Sequence, residues 1–188
     1  MRQRFLHTVS MLYAQYGIKG VTMTQLASSL GISKKTLYNE FGDKERLLDL
    51  CIQNEVDQLN RRMDEQEKEA TNTVECFFSI CFELFDYFSS YSPAFYKDVK
   101  RYVEAHFLLI EFLTDLKKRF ANFFQQGIHD GLFLPEGNYD LLSVVFAKYI
   151  GPAETRPSWS LLATCLRGVC TKQGIKELER VQQNYPIF

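Results

Sequence analysis

The residues best placed to do chemistry lie between Thr22 and Leu48, and their chemistry suits contact with nucleic acid rather than bond-making. Ser33, Lys34, Lys35, Thr36, Tyr38 and Asn39 crowd one short segment, and Lys44 follows closely. Their spacing predicts a helix from Ser33 to Phe41. Ser33 is a good N-cap, because its hydroxyl can accept from an orphan backbone N–H. Gly42 stops the helix. Leu37 and Phe41 sit four apart and share an inward face. Lys35 and Asn39 point the opposite way, with Thr36 and Tyr38 on the flanks. A lysine can donate to guanine O6 and N7, an asparagine can pair with adenine, and a threonine methyl can touch a thymine methyl. Lys34, Lys35, Thr36 and Asn39 are therefore assigned to base edges. Lys44 begins the next helix, where an ammonium and a cluster of backbone N–H groups can hold one phosphate.

Such a helix needs a partner to set its angle. Leu26, Ala27 and Leu30 form a short apolar stripe before it. Gly31 breaks that stripe where a turn needs φ > 0, and Ile32 can plug the corner. Two short helices joined by so tight a turn are what a helix-turn-helix requires to enter a major groove. A first helix over about 2–16, with Phe5, Val9, Leu12 and Tyr16 as its buried face, completes the smallest workable core. Thr22 or Thr24 caps the second helix, and Asp43 caps the fourth. Net charge is only −1, but it is unevenly spread. Residues 1–48 carry seven Lys/Arg and three acids, net +4; the remainder carries 15 basic and 20 acidic residues, net −5. A cationic head on an acidic body is the asymmetry expected when only the head meets phosphate.

In sequence order, Thr24–Leu26–Ala27, then Gly31–Ile32–Ser33–Lys34–Lys35–Thr36–Leu37–Tyr38, then Phe41–Asp43–Lys44–Glu45–Leu47, resembles the head of the TetR/AcrR family of transcriptional regulators. The resemblance is specific over roughly the first quarter of the chain; beyond it, only length and helical content agree. It implies an all-α fold with a helix-turn-helix DNA-binding domain over 1–47 and a helical effector-binding and dimerisation domain over 48–188. It also implies a cytoplasmic homodimer on a palindromic double-stranded operator, without a cofactor, acting as a repressor released by a lipophilic or aromatic small molecule. Thr24 and Tyr38 resemble the family's phosphate-contacting positions. Two departures leave the operator sequence open. Lys35 stands where the family commonly has a small residue such as Gly, and Glu40 places an acid near the phosphates.

The rest of the chain reads as helices over about 71–88, 93–103, 104–129, 139–150, 158–171 and 175–183. It holds 16 Phe and 10 Tyr. Regular Phe stripes are ordinarily core. The family, however, places an effector cavity among the fourth to seventh helices, which singles out Phe77, Cys81, Phe85, Tyr102, His106 and Phe112. The family's dimer bundle, built from the last two long helices, singles out Leu142, Val145, Phe146, Tyr149, Leu162, Leu166 and Val169. Five scattered cysteines without a Cys-x-x-Cys argue against a zinc or disulfide framework. No apolar run approaches the ~20 residues of a membrane span. No nucleophile elbow, phosphate loop or metal-spaced histidine set appears, so an enzyme is not expected. Two alternatives remain: the same fold without a small-molecule effector, and a helical lipid-binding protein that has lost DNA binding.

Overall fold

A computed structural model describes residues 2–151 and 159–183. Ten α-helices follow one another among the described residues: α1 (Arg2–Tyr16), α2 (Met23–Ser29), α3 (Lys34–Phe41), α4 (Lys44–Glu69), α5 (Thr73–Ser89), α6 (Pro93–Val99), α7 (Val103–His129), α8 (Tyr139–Ile150), α9 (Trp159–Val169) and α10 (Lys172–Gln182). The only extended pairing among the described residues is an isolated antiparallel bridge between Phe133 and Cys170. The expected ends Ser158 of the ninth helix and Pro152 after the eighth lie outside the described residues.

Local chemistry sets most boundaries. Thr22, Ser33, Ser92, Asn138 and Thr171 each accept a backbone N–H at the start of a helix. Ser92 is followed by Pro93 at the first helical position, where a missing N–H costs nothing. The sixth helix ends at Val99, earlier than the 103 expected. Arg101 and Tyr102 instead close tight turns onto Asp98 and Val99 before α7 begins. The first helix is rotated from expectation. Leu6, Val9 and Tyr13 are buried, Phe5 and Leu12 are half-buried, and Tyr16 is 56% exposed. The 6–9–13 spacing fits one helical face as well as 5–9–12–16 does, and periodicity alone does not choose between them.

The chain divides into two compact units. One comprises Met1–Arg61 with Ser89–Phe112, and so contains α1 to α3, most of α4, α6 and the beginning of α7. Its core is Leu6, Val9, Tyr13, Ile18, Leu26, Leu37, Leu47 and Leu48, with Phe95 and Val99 of α6 also buried.

The other unit comprises Arg62–Phe88 with Leu113–Phe188. Its centre is aromatic. The Phe77 ring lies 5.0, 6.0, 4.9 and 5.1 Å from those of Phe120, Phe123, Phe124 and Phe146. Phe124 also meets Phe133 and Tyr139 at 5.4 and 5.0 Å. Tilted and edge-on pairs at these distances are the favoured arrangements for π-systems. At this unit's surface Arg119 bridges α7 to α4 through Asp64 at 2.7 Å and through Glu67. Arg180 of α10 meets Glu75 of α5 at 3.4 Å.

Candidate nucleic-acid interface

The interface is built from caps and turns. At the start of α2, Gln25 N–H donates to Thr22 Oγ1 at 3.2 Å, and Thr22 N–H donates to Gln25 Oε1 at 2.8 Å. This reciprocal capping box satisfies two orphan donors. At its end, Gly31 N–H donates to the Ser28 carbonyl at 3.1 Å and Ile32 N–H to the Ala27 carbonyl at 3.0 Å. Those two bonds, with Gly31 at φ +66°, form a Schellman motif. The chain is thereby turned directly into α3. There Ser33 Oγ accepts from Thr36 N–H at 3.0 Å. Leu37 and Phe41 are buried beneath α3, while Lys34, Lys35, Thr36, Tyr38, Asn39 and Glu40 are exposed. Thr24 and Ser33 are exposed as well. Seven of the eight residues expected to meet DNA thus lie on the solvent side of the motif.

Their preorganisation differs. Ser33 Oγ and Thr36 Oγ1 lie 2.8 Å apart, so both hydroxyls serve the cap. The methyl of Thr36 is then its remaining group for a base edge. The Lys34 ammonium sits 5.9 Å from the Tyr38 ring centroid one turn on, within cation–π range.

Lys44, the eighth residue, begins α4 as expected but is half-buried rather than exposed. Its ammonium donates to the Val21 carbonyl and stands 6.0 Å from the Tyr13 ring centroid. Burial lowers its pKa, and the charge of Asp98 opposes that shift. Asp43 Oδ1 caps α4 by accepting from Arg46 N–H at 2.9 Å. At least one Lys44 proton is committed to the fold, a tertiary bond invisible in the spacing. Arg2 counted in the sequence only toward net charge. Its guanidinium lies 5.8 Å from the centroid of Phe41, at the end of α3. A cation held beside the recognition helix is a further candidate phosphate contact.

The expected effector and dimer residues scatter more. Phe77, Cys81 and Phe85 belong to one unit, and Tyr102, His106 and Phe112 to the other. Phe77, Cys81 and Phe112 are buried; Phe85, Tyr102 and His106 are half-buried. Phe77 is enclosed by four rings, so it packs as core. Burial raises the pKa of the Cys81 thiol well above its ordinary value. Of the dimer set, Phe146, Leu162 and Leu166 are buried in the chain's own interior and offer a second copy almost no surface. Leu142, Val145 and Val169 are half-buried. Tyr149 is exposed, and on α8 it shares the outward side with Leu141 and Val144, at 58% and 41% exposure. On α8 the exposed apolar residues thus include Tyr149 of the expected set and add Leu141 and Val144 beside half-buried Leu142 and Val145.

An all-helical chain with a capped helix-turn-helix and a cationic, hydrogen-bonding recognition helix defines a DNA-binding transcriptional regulator. The family model described as "Bacterial regulatory proteins, tetR family" matches residues 6–51, which span the motif and its flanking helices. Over 93% of both chains the protein is 26% identical to the HTH-type transcriptional repressor KstR2 of Mycolicibacterium smegmatis. Among solved structures, the ketosteroid transcriptional regulator KstR2 of Mycobacterium tuberculosis shares the fold, with TM-score 0.64 and 20% identity over 92% of this chain and 96% of that one. A γ-butyrolactone receptor (ArpA-like protein) shares it too, with TM-score 0.69 and 13% identity over 97% of each chain. Residues 6–51 thus match the DNA-binding head of the tetR family of bacterial regulatory proteins, and the fold of the rest is shared with solved regulators of that kind.

Proposed function

We propose that this regulator is a homodimeric repressor whose head, residues 1–47, binds a palindromic operator and whose body, residues 48–188, receives a lipophilic or aromatic effector. The observation that carries the DNA reading is the solvent-facing side of α3, where Lys34, Lys35, Thr36, Tyr38 and Asn39 stand exposed over buried Leu37 and Phe41. Lys34, Lys35, Thr36 and Asn39 read base edges. Thr24, Ser33, Tyr38 and Arg2 hold phosphates. Lys44 shares that role with whatever protons Val21 leaves it.

Repression is supported by the similarity to the repressor KstR2. An apolar effector is supported by the aromatic content of the body. It also agrees with two proteins of the same fold, one a ketosteroid transcriptional regulator and one a γ-butyrolactone receptor. The effector acts by binding the DNA-competent and DNA-incompetent states unequally; a near-complete switch requires about 5.5 kcal/mol of difference. Dimerisation is supported by the apolar side of α8 that Leu141, Val144 and Tyr149 leave exposed.

Selection of bound duplexes from a random pool tests the reading directly. The expected product is a palindrome with half-sites about one helical turn apart. Recovery of no preferred sequence, with no salt-dependent binding, would sink it. Addition of hydrophobic compounds to the selected complex then identifies the effector class by release of DNA.

A further inference from the structure

The connection between α1 and α2, residues 17–21, leads straight into the Thr22 cap and so sets where the helix-turn-helix begins. It is held by residues far away in sequence. Lys19 N–H donates to Asp98 Oδ2 of α6 at 2.8 Å, across 79 residues of chain. Ser92 N–H, just before α6, donates to the Ala14 carbonyl in the last turn of α1 at 2.8 Å. That carbonyl is one of the orphans a helix end leaves. Gly17, at φ +74°, lets the two elements touch: a Cβ there would stand 3.0 Å from Ala94 Cβ and 3.3 Å from Asp98 Oδ2. From the other side, Lys44 donates to the Val21 carbonyl. Asp98 is one of the few buried charged residues, and its carboxylate is spent on a backbone N–H of the head.

We propose that Asp98 is a positioning residue for DNA binding: from α6 it fixes the α1–α2 connection, and through it the register of the recognition helix, without touching DNA. Asp98 and Lys44 together form a charged clamp, one holding the Lys19 N–H and the other the Val21 carbonyl. The negative charge of Asp98 also offsets part of the burial cost of the Lys44 ammonium. The proposal rests on the DNA-binding reading, since it assigns a role within that activity.

The test uses full-length protein, the selected duplex and two variants. Asp98→Ala removes the acceptor; Asp98→Asn keeps an oxygen for the Lys19 N–H. Expected for Asp98→Ala are an affinity loss of about tenfold or more, an unchanged salt slope because no phosphate contact is lost, and fast hydrogen exchange at the Lys19 amide. Asp98→Asn is expected to keep that amide protected and to bind within about threefold of wild type. Wild-type affinity in Asp98→Ala overturns the proposal, and so does a salt slope reduced by about one unit, the signature of a direct phosphate contact. Should Asp98→Ala fail to fold, Asp98→Asn decides alone. Retained affinity with a protected Lys19 amide supports the tether, whereas retained affinity with an unprotected amide, or lost affinity with a protected one, overturns it. If wild type itself binds no duplex, the DNA-binding reading fails instead, and the two failures stay distinct.

Discussion

Asn39 and Lys34 sit about one and a half turns apart on the exposed side of α3, and each is expected to govern preference at its own base pair. Asn39 carries an amide that matches the adenine edge, so Asn39→Ala should relax preference at one base pair by about 1–3 kcal/mol. Binding titrations against single-position operator variants measure this; uniform weakening at every position would refute the base contact. Lys34 is steadied by Tyr38, and both are exposed on α3. As a donor to guanine O6 and N7, Lys34 is expected to specify one base pair, so Lys34→Ala should relax preference there, whereas a salt slope lowered by roughly one unit with preference intact would make it a phosphate contact instead. Titration at several salt concentrations separates the two roles.

The turn between α2 and α3 shows what an element needs from one residue. Gly31 lies at φ +66°, and beyond its chain neighbours no atom stands within 4 Å of where its Cβ would be. Gly31→Ala therefore meets no clash, and its penalty is the left-handed backbone alone, about 1–2 kcal/mol. Thermal unfolding should show a loss of that size. A loss within error would mean the turn relaxes to another geometry. In the second unit the same reasoning applies to α5. Phe77 has four aromatic neighbours and no exposed surface, so Phe77→Ala should cost about 3–5 kcal/mol. A variant of near-wild-type stability would show that Phe77 lines a space a ligand fills rather than the packed core.

At the scale of the whole molecule, the exposed apolar side of α8 is a surface that a second copy can cover. Replacing Leu141 and Val144 together by Glu places two charges on that side. The double variant should sediment as a monomer at micromolar concentration with its helical content kept. It should also bind the palindrome far more weakly than wild type, because two linked heads engage adjacent half-sites with a high effective concentration that separate heads lack. A dimer that persists in the double variant would move the interface elsewhere.

Much of the head was legible in sequence because its determinants are local. A serine that caps, a glycine that takes positive φ, and two apolar residues four apart act within one or two helical turns, so Ser33, Gly31, Leu37 and Phe41 announce the motif by themselves. The same periodicity set Lys35 and Asn39 on its solvent side with Thr36 and Tyr38 at the flanks, where they are exposed, whereas Thr24 followed from the resemblance. The tertiary structure alone decided the rest. Whether α1 buries Phe5 or Leu6, whether α8 turns Leu142 or Leu141 outward, and whether the Lys44 ammonium meets solvent or the Val21 carbonyl depend on what packs against each helix. The Asp98 carboxylate reaches the Lys19 amide across 79 residues, and no spacing rule encodes such a bond. Periodicity states that a helix has an apolar side; only the neighbours that cover that side determine which residues lie at its centre and which at its edge.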